Sequence, residues 1–103
     1  MERVEIIVIG AGPAGMFAAA TAAKRGASVR LLEKTARCGM KILITGKGRC
    51  NVTNIEPDLK TFATNYGKNG RAFLTALYAF DNRQVIEFFE TRGLKLQTER
   101  GGR

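Results

Sequence analysis

Val8-Ile9-Gly10-Ala11-Gly12-Pro13-Ala14-Gly15 is the stretch from which the architecture of this chain is read. It is a G-x-G-x-x-G string, a pattern that ordinary glycine turns also produce, so its setting has to carry the argument. Before it, Val4-Glu5-Ile6-Ile7-Val8-Ile9 is apolar and β-branched and reads as a short buried strand. After it, Pro13 to about Arg25 is alanine-rich and helix-forming, with Pro13 at the first helical position and Gly26 as the stop. A strand that turns on glycines into a helix N-terminus offers free backbone N–H groups and partial positive charge to a phosphate. Gly10 permits the tight turn and Gly12 leaves the backbone open to a pyrophosphate. Gly15 lets the helix lie close on the strand, and Ala19, one turn on, keeps that contact small.

Ala27 to Glu33 reads as a second strand, its apolar content supplied by Val29, Leu31 and Leu32. Strand, helix and strand make a β-α-β unit of ordinary length. Glu33 closes the unit 18 residues after Gly15, near the spacing of ~20 at which a carboxylate meets an adenosine ribose. A carboxylate there accepts hydrogen bonds from both ribose hydroxyls and repels a 2′-phosphate, so the site suits FAD or NAD better than NADP. The plain alternative is a solvated strand-end carboxylate beside an ordinary turn. It requires strand, glycines, helix and acid to fall into register by chance.

At 103 residues the chain suffices for one small domain and not for two. Its 17 Lys+Arg against 9 Asp+Glu give a net charge of +8, with 45% hydrophobic and 25% charged residues. That balance excludes collagen, coiled coil and wholesale disorder. The absence of His removes His-based acid–base catalysis and His metal ligands from this chain. Cys38 and Cys50 form no C-x-x-C pair, so they read as structural thiols in a reducing compartment, with no metal site expected. Ile6 to Ala23 is an uncharged run of 18 residues that imitates a signal or membrane segment. Glu2 and Glu5 against Arg3 deny it a positive leader, and Gly10, Gly12, Pro13 and Gly15 break it near its middle. The expectation is a cytoplasmic chain with no membrane partner.

Lys34 to Asn54 contains no acid and five basic residues, Lys34, Arg37, Lys41, Lys47 and Arg49, with Ile42-Leu43-Ile44 read as a short buried piece. Pro57-Asp58 opens a helix and Asn65–Gly70 is a turn region. In the next helix Phe73, Leu77 and Phe80 share a face, with Leu74 and Tyr78 beside it. In the last, Val85, Phe88 and Phe89 form a stripe flanked by Ile86. Asp81 and Gln84 make a capping box, and Gly93 is the stop. Leu94-Lys95-Leu96-Gln97-Thr98 alternates like a half-buried strand. No internal repeat or linker is evident.

A more discriminating string lies at 46–54, Gly-Lys-Gly-Arg-Cys-Asn-Val-Thr-Asn. Together with Val8–Met16, Leu31–Lys34, Lys41–Thr45 and Thr98–Arg103, it resembles the N-terminal region of the BaiN-type family of NAD(P)/FAD-dependent oxidoreductases, over essentially the whole chain. The resemblance implies that Gly10, Ala11, Gly12, Pro13, Ala14 and Gly15 form the FAD-pyrophosphate turn. It puts Glu33 and Lys34 at the adenosine ribose, and Gly39 and Lys41 in the loop that continues along the cofactor. Gly46, Gly48, Arg49, Cys50 and Asn51 match the family's second glycine-rich loop, near the pyrophosphate and flavin. Lys47 stands where the family often has Gly, which adds charge and changes the backbone demand there. Physical reading agrees: Arg49 offers two charge-assisted hydrogen bonds to a phosphate, and an acid-free segment favours an anionic ligand.

The fold expected is therefore α/β, the N-terminal part of a Rossmann-like FAD-binding domain: a β-α-β unit followed by helices and a strand. Doubly wound domains use five or six strands, so residues 1–103 read as a partial domain whose remaining strands and substrate domain lie outside this chain. The resemblance implies a full-length FAD-dependent oxidoreductase, about four times this length, using NAD(P)H to reduce a small organic substrate. Carbon–carbon double bonds of bile-acid-like compounds are the family precedent. Alone, the fragment is expected to be inactive. No residue is assigned as catalytic; Tyr66 and Tyr78 are proton donors by chemistry only and read as structural. The alternatives are a dinucleotide-binding fragment with no activity of its own and a basic nucleic-acid-binding module. The second is disfavoured because the cations are spread apart from 34–49, the aromatics sit in helical stripes, and no RRM, KH or helix-turn-helix pattern is evident.

Overall fold

A computed structural model describes residues 2–103. The chain forms two compact units, Met1–Cys50 and Asn51–Arg103. In the first, strand β1 (Ile6–Ile9) leads through the glycine turn into helix α1 (Pro13–Lys24), strand β2 (Val29–Leu32), helix α2 (Met40–Ile44) and a 3-10 turn at Gly46–Gly48. β1 and β2 are parallel, in the register Ile6↔Val29, Ile7↔Arg30, Val8↔Leu31 and Ile9↔Leu32, and α1 packs on both. The expected β-α-β unit is present, with the helix ended by Gly26 at φ 95°. There the N–H groups of Gly26 and Ala27 return to the carbonyls of Ala23 and Ala22.

Both strands are shorter than the sequence reading. Ser28 accounts for the difference at their start: its carbonyl accepts from Glu5 and Ile6, its N–H donates to the Glu5 carboxylate, and its hydroxyl donates to the Arg3 carbonyl. Arg30 pairs with Glu2 on the same edge. The expectation that β1 is buried is corrected: Ile7 is 58% and Ile9 86% exposed, while Val8 is half-buried. Parallel sheets normally carry helices on both faces, and α1 is the helix of this unit that packs on the strands. Ile42-Leu43-Ile44 is not a buried piece either. It falls in the short helix α2, where Leu43 and Ile44 face solvent.

The second unit holds helices α3 (Leu59–Thr64), α4 (Gly70–Ala79) and α5 (Asn82–Glu90), with 3-10 turns at Gly67–Asn69 and Arg100–Gly102. Asp58 caps α3, accepting from the Thr61 N–H at 3.3 Å and its hydroxyl at 2.6 Å, which holds the Asp58 carboxyl below its usual range. Phe62, Ala63 and Leu77 form the core, packed by Leu59, Phe73 and Leu74. Gly70 makes this possible: a Cβ there would lie 1.9 Å from the Ala63 carbonyl oxygen. Phe80 leaves the face expected for it, because it caps α4 with extended backbone (φ −152°), and its ring is exposed.

The capping box of α5 is present, with Gln84 N–H donating to Asp81 Oδ1 and Asp81 N–H to Gln84 Oε1, both at 2.8 Å. Val85, Ile86, Phe88 and Phe89 are half-buried, and the Arg92 guanidinium lies 3.8 Å from the Phe88 ring centroid. The strand expected at 94–98 does not form. Its alternation is real, but a strand needs a neighbouring ladder, and none pairs with it among the described residues. Among the described residues no helix is long and apolar enough to cross a membrane.

Candidate functional site

The glycine turn is built around a fully buried residue. Ala11 is 1% exposed, its N–H donates to Glu33 Oε1 at 2.9 Å, and its carbonyl accepts from the Gly39 N–H at 2.8 Å. Gly10 N–H donates to the Leu32 carbonyl at 2.8 Å, extending the β1–β2 ladder into the turn, and Gly10 then takes φ 99° to start the reversal. Gly12 caps α1 with its backbone, no side chain caps that end, and Pro13 occupies the first turn. The N-terminal amides of α1 therefore point out of the helix without a side-chain partner. A Cβ on Gly12 would meet nothing within 4 Å, so the approach to those amides is open. A Cβ on Gly15 would sit 1.8 Å from the Gly10 carbonyl oxygen, so the close helix–strand contact read from the sequence is present.

Glu33 lies just past β2 with both carboxylate oxygens engaged. Oε1 accepts from Ala11, and Oε2 accepts from the Thr35 N–H at 2.9 Å and the Thr35 hydroxyl at 2.6 Å. These donors, the Thr35 hydroxyl first and the Ala11 amide next, lower its pKa from an ordinary 4.5 to about 2. The group is an anion throughout the physiological range. Lys34 beside it is exposed and adds a weaker attraction of the same sign.

Gly39 joins this knot through its bond to Ala11. It is buried, left-handed (φ 69°) and precedes α2. Thus Gly10, Ala11, Gly12, Pro13, Ala14, Gly15, Glu33 and Gly39 converge, and Lys34 adjoins them. Lys41, Gly46, Gly48, Arg49 and Cys50 follow along the same unit, and Asn51 belongs to the second unit. Gly46, Lys47 and Gly48 are three successive left-handed residues, at φ 66°, 51° and 87°, closed by the Arg49 N–H on the Gly46 carbonyl at 2.9 Å. Lys47 thus holds a backbone conformation that glycine adopts more easily. Cys38 and Cys50 are exposed and free, so neither fills a core as a structural thiol would.

Sequence reasoning missed two features. Thr35 engages Glu33, and only its position two residues after the acid hints at that. Asn82, 6% exposed, donates from Nδ2 to the Asn54 and Glu56 carbonyls, each at 2.7 Å. Asn54 in turn donates to the Gly101 carbonyl, and Ile55 N–H donates to the Gly102 carbonyl. The end of the 46–54 string and the Gly-Gly pair at 101–102 therefore meet within the second unit.

A parallel strand pair joined by a helix, with a glycine turn at the helix N-terminus and a carboxylate bonded back to that turn, defines a Rossmann-type unit. Residues 4–103 match the family model described as the HI0933-like protein Rossmann domain, and the chain belongs to that family. The ribosomal RNA dihydrouridine synthase of Escherichia coli (strain K12) is similar to it, 51% identical over 94 residues, 91% of this chain and 23% of that protein. The 3-dehydro-bile acid delta(4,6)-reductase of Clostridium scindens is 38% identical over 104 residues, 99% of this chain and 24% of that protein. The digeranylgeranylglycerophospholipid reductase of Thermoplasma volcanium is 38% identical over 79 residues, 71% of this chain and 19% of that protein. The chain thus spans about a quarter of the length of the first two relatives. The family resemblance and the α/β class read from the sequence are both borne out.

Proposed function

We propose that this chain is the FAD-binding N-terminal portion of a flavoprotein that takes electrons from NAD(P)H and reduces a carbon–carbon double bond. The observation that carries the reading is the Glu33 carboxylate held at the glycine turn, 2.9 Å from the Ala11 amide. It sets an acceptor for the adenosine ribose beside amides open to a pyrophosphate. The fit extends to Gly12, above which the space is open. The turn residues Gly10 to Gly15 would hold the pyrophosphate, with Glu33 and Lys34 at the ribose and Gly39 and Lys41 along the cofactor. Gly46, Gly48, Arg49, Cys50 and Asn51 would serve its flavin end. When bound, the flavin supplies the hydride chemistry, and the protein supplies position and charge.

The relatives' names support the type of reaction, since a bile-acid reductase, a geranylgeranyl-lipid reductase and a dihydrouridine synthase each add hydrogen across a double bond. A small organic substrate in the cytoplasm is the first reading. The 51% identity to an RNA-modifying relative and the +8 charge favour a second, in which the reducible bond belongs to a uracil ring in ribosomal RNA.

The test is purification of the full protein, followed by anaerobic addition of NADH or NADPH. Yellow flavin absorbance that bleaches with either nucleotide supports the reading, and a colourless protein that takes up no FAD sinks it. Turnover with an unsaturated steroid, against dihydrouridine content in ribosomal RNA from cells lacking the gene, separates the two substrates.

A further inference from the structure

An ionised carboxylate offers about four lone-pair positions, two on each oxygen. In Glu33 three are already taken: one on Oε1 by Ala11, and two on Oε2 by the amide and hydroxyl of Thr35. The Thr35 hydroxyl also lies 3.0 Å from the Arg37 carbonyl, but it has one proton. At 2.6 Å the Glu33 oxygen is the nearer acceptor and the charged one. One position remains open, on Oε1, the oxygen already bonded to the glycine turn. A carboxylate with both oxygens free would take both ribose hydroxyls, and this one has room for a single hydroxyl.

We infer that Thr35 is a positioning residue for the cofactor: by saturating Glu33 Oε2, it turns Oε1 toward the ligand and limits the carboxylate to one of the two adenosine ribose hydroxyls. The inference rests on the FAD reading above and adds to it. The bond to Ala11 holds Oε1 at the turn and the two bonds from Thr35 fill Oε2, so the carboxylate cannot present both oxygens to the ribose without giving up a bond from Thr35. The residue type at 35 matters because the hydroxyl, and not the backbone amide alone, fills the second position.

The test is reconstitution of the full, flavin-stripped protein with FAD, 2′-deoxyadenosine FAD and 3′-deoxyadenosine FAD. One deoxy analogue should bind about tenfold or more weakly than FAD, as expected for a lost hydrogen bond to a charged group, and the other should bind like FAD. Thr35→Val frees a position on Oε2, so both analogues should then bind more weakly than FAD. Thr35→Ser keeps the hydroxyl and should restore the one-sided pattern, which a purely structural role for Thr35 would not do. Equal losses for both analogues in the unmodified protein overturn the inference and leave the FAD reading standing, and so does a Thr35→Val pattern identical to that of the unmodified protein. Failure to bind FAD at all overturns both.

Discussion

Gly15→Ala places a methyl group where the structure has no room. Its Cβ would stand 1.8 Å from the Gly10 carbonyl oxygen, 3.0 Å from the carbonyl carbon and 3.4 Å from Val8 Cγ1. The obstacle is backbone, so no side chain can rotate away. Regaining ordinary contact needs α1 to retreat from the turn by about 1.5 Å. That movement would pull on the bond from Gly10 to Leu32 and on the packing of α1 against both strands. Overpacking of this kind costs about 1–3 kcal/mol, and a rigid obstacle puts the cost near the upper end, lowering the folding equilibrium by roughly two orders of magnitude.

Gly12→Ala is the matched control. Gly12 has φ −76° and ψ −174°, which alanine adopts without strain, and open space around its Cβ position. Urea denaturation of the flavin-free full protein, followed by circular dichroism, reads the difference as a shift in midpoint at constant slope. Gly15→Ala should shift well below the unmodified protein. Gly12→Ala should hold its midpoint yet recover little flavin, because its methyl group would stand in the path proposed for the pyrophosphate. Equal midpoints for the two variants would refute the packing argument.

Glu33 titrates with a lowered pKa, so its stabilising contribution is complete above about 4.5 and is lost as the pH falls from there to about 2. Glu33→Gln should flatten that part of the stability profile, leaving a residue from Asp58, whose carboxyl Thr61 also holds low; an unchanged slope between those values counts against the Glu33 clasp. Asp81→Ala removes one half of the capping box and should cost about 1 kcal/mol, measured as a denaturant midpoint. Leu77→Ala empties the centre of the second unit's core and should cost about 2–5 kcal/mol in the same assay. Asn82→Ala strands two carbonyls, and hydrogen exchange at the Ile55 amide, which bonds to Gly102, should accelerate as the 54–56 segment loosens.

What could be read in advance was local. The glycine string, Pro13, Gly26 and the capping pair Asp81 and Gln84 each act through neighbours in sequence, and Glu33 is reached by the fixed length of the β-α-β unit; each appears where its chemistry puts it. What could not be read was set by partners. The alternation at 94–98 specifies a strand face but supplies no ladder to pair with, and the apolar run at 42–44 specifies burial but supplies no cover. Gly70 looked like part of a turn, yet its missing Cβ is what lets the Ala63 carbonyl approach α4. At the site, the spacing from Gly15 pointed to Glu33, while the saturation of its oxygens depends on the path of the backbone through Thr35, which spacing alone does not describe.

In pattern searches the second letter of G-x-G is a wildcard. Here it is Ala11, sealed from solvent, its amide spoken for by the end of β2 and its carbonyl by Gly39. That makes one small residue a three-way junction, with a strict volume ceiling at a position the fingerprint treats as arbitrary. It also couples distant stretches of chain mechanically: slack introduced around Gly39, or a shift at the end of β2, is transmitted through the two peptide planes that flank the Ala11 Cα to the amides that would grip a phosphate.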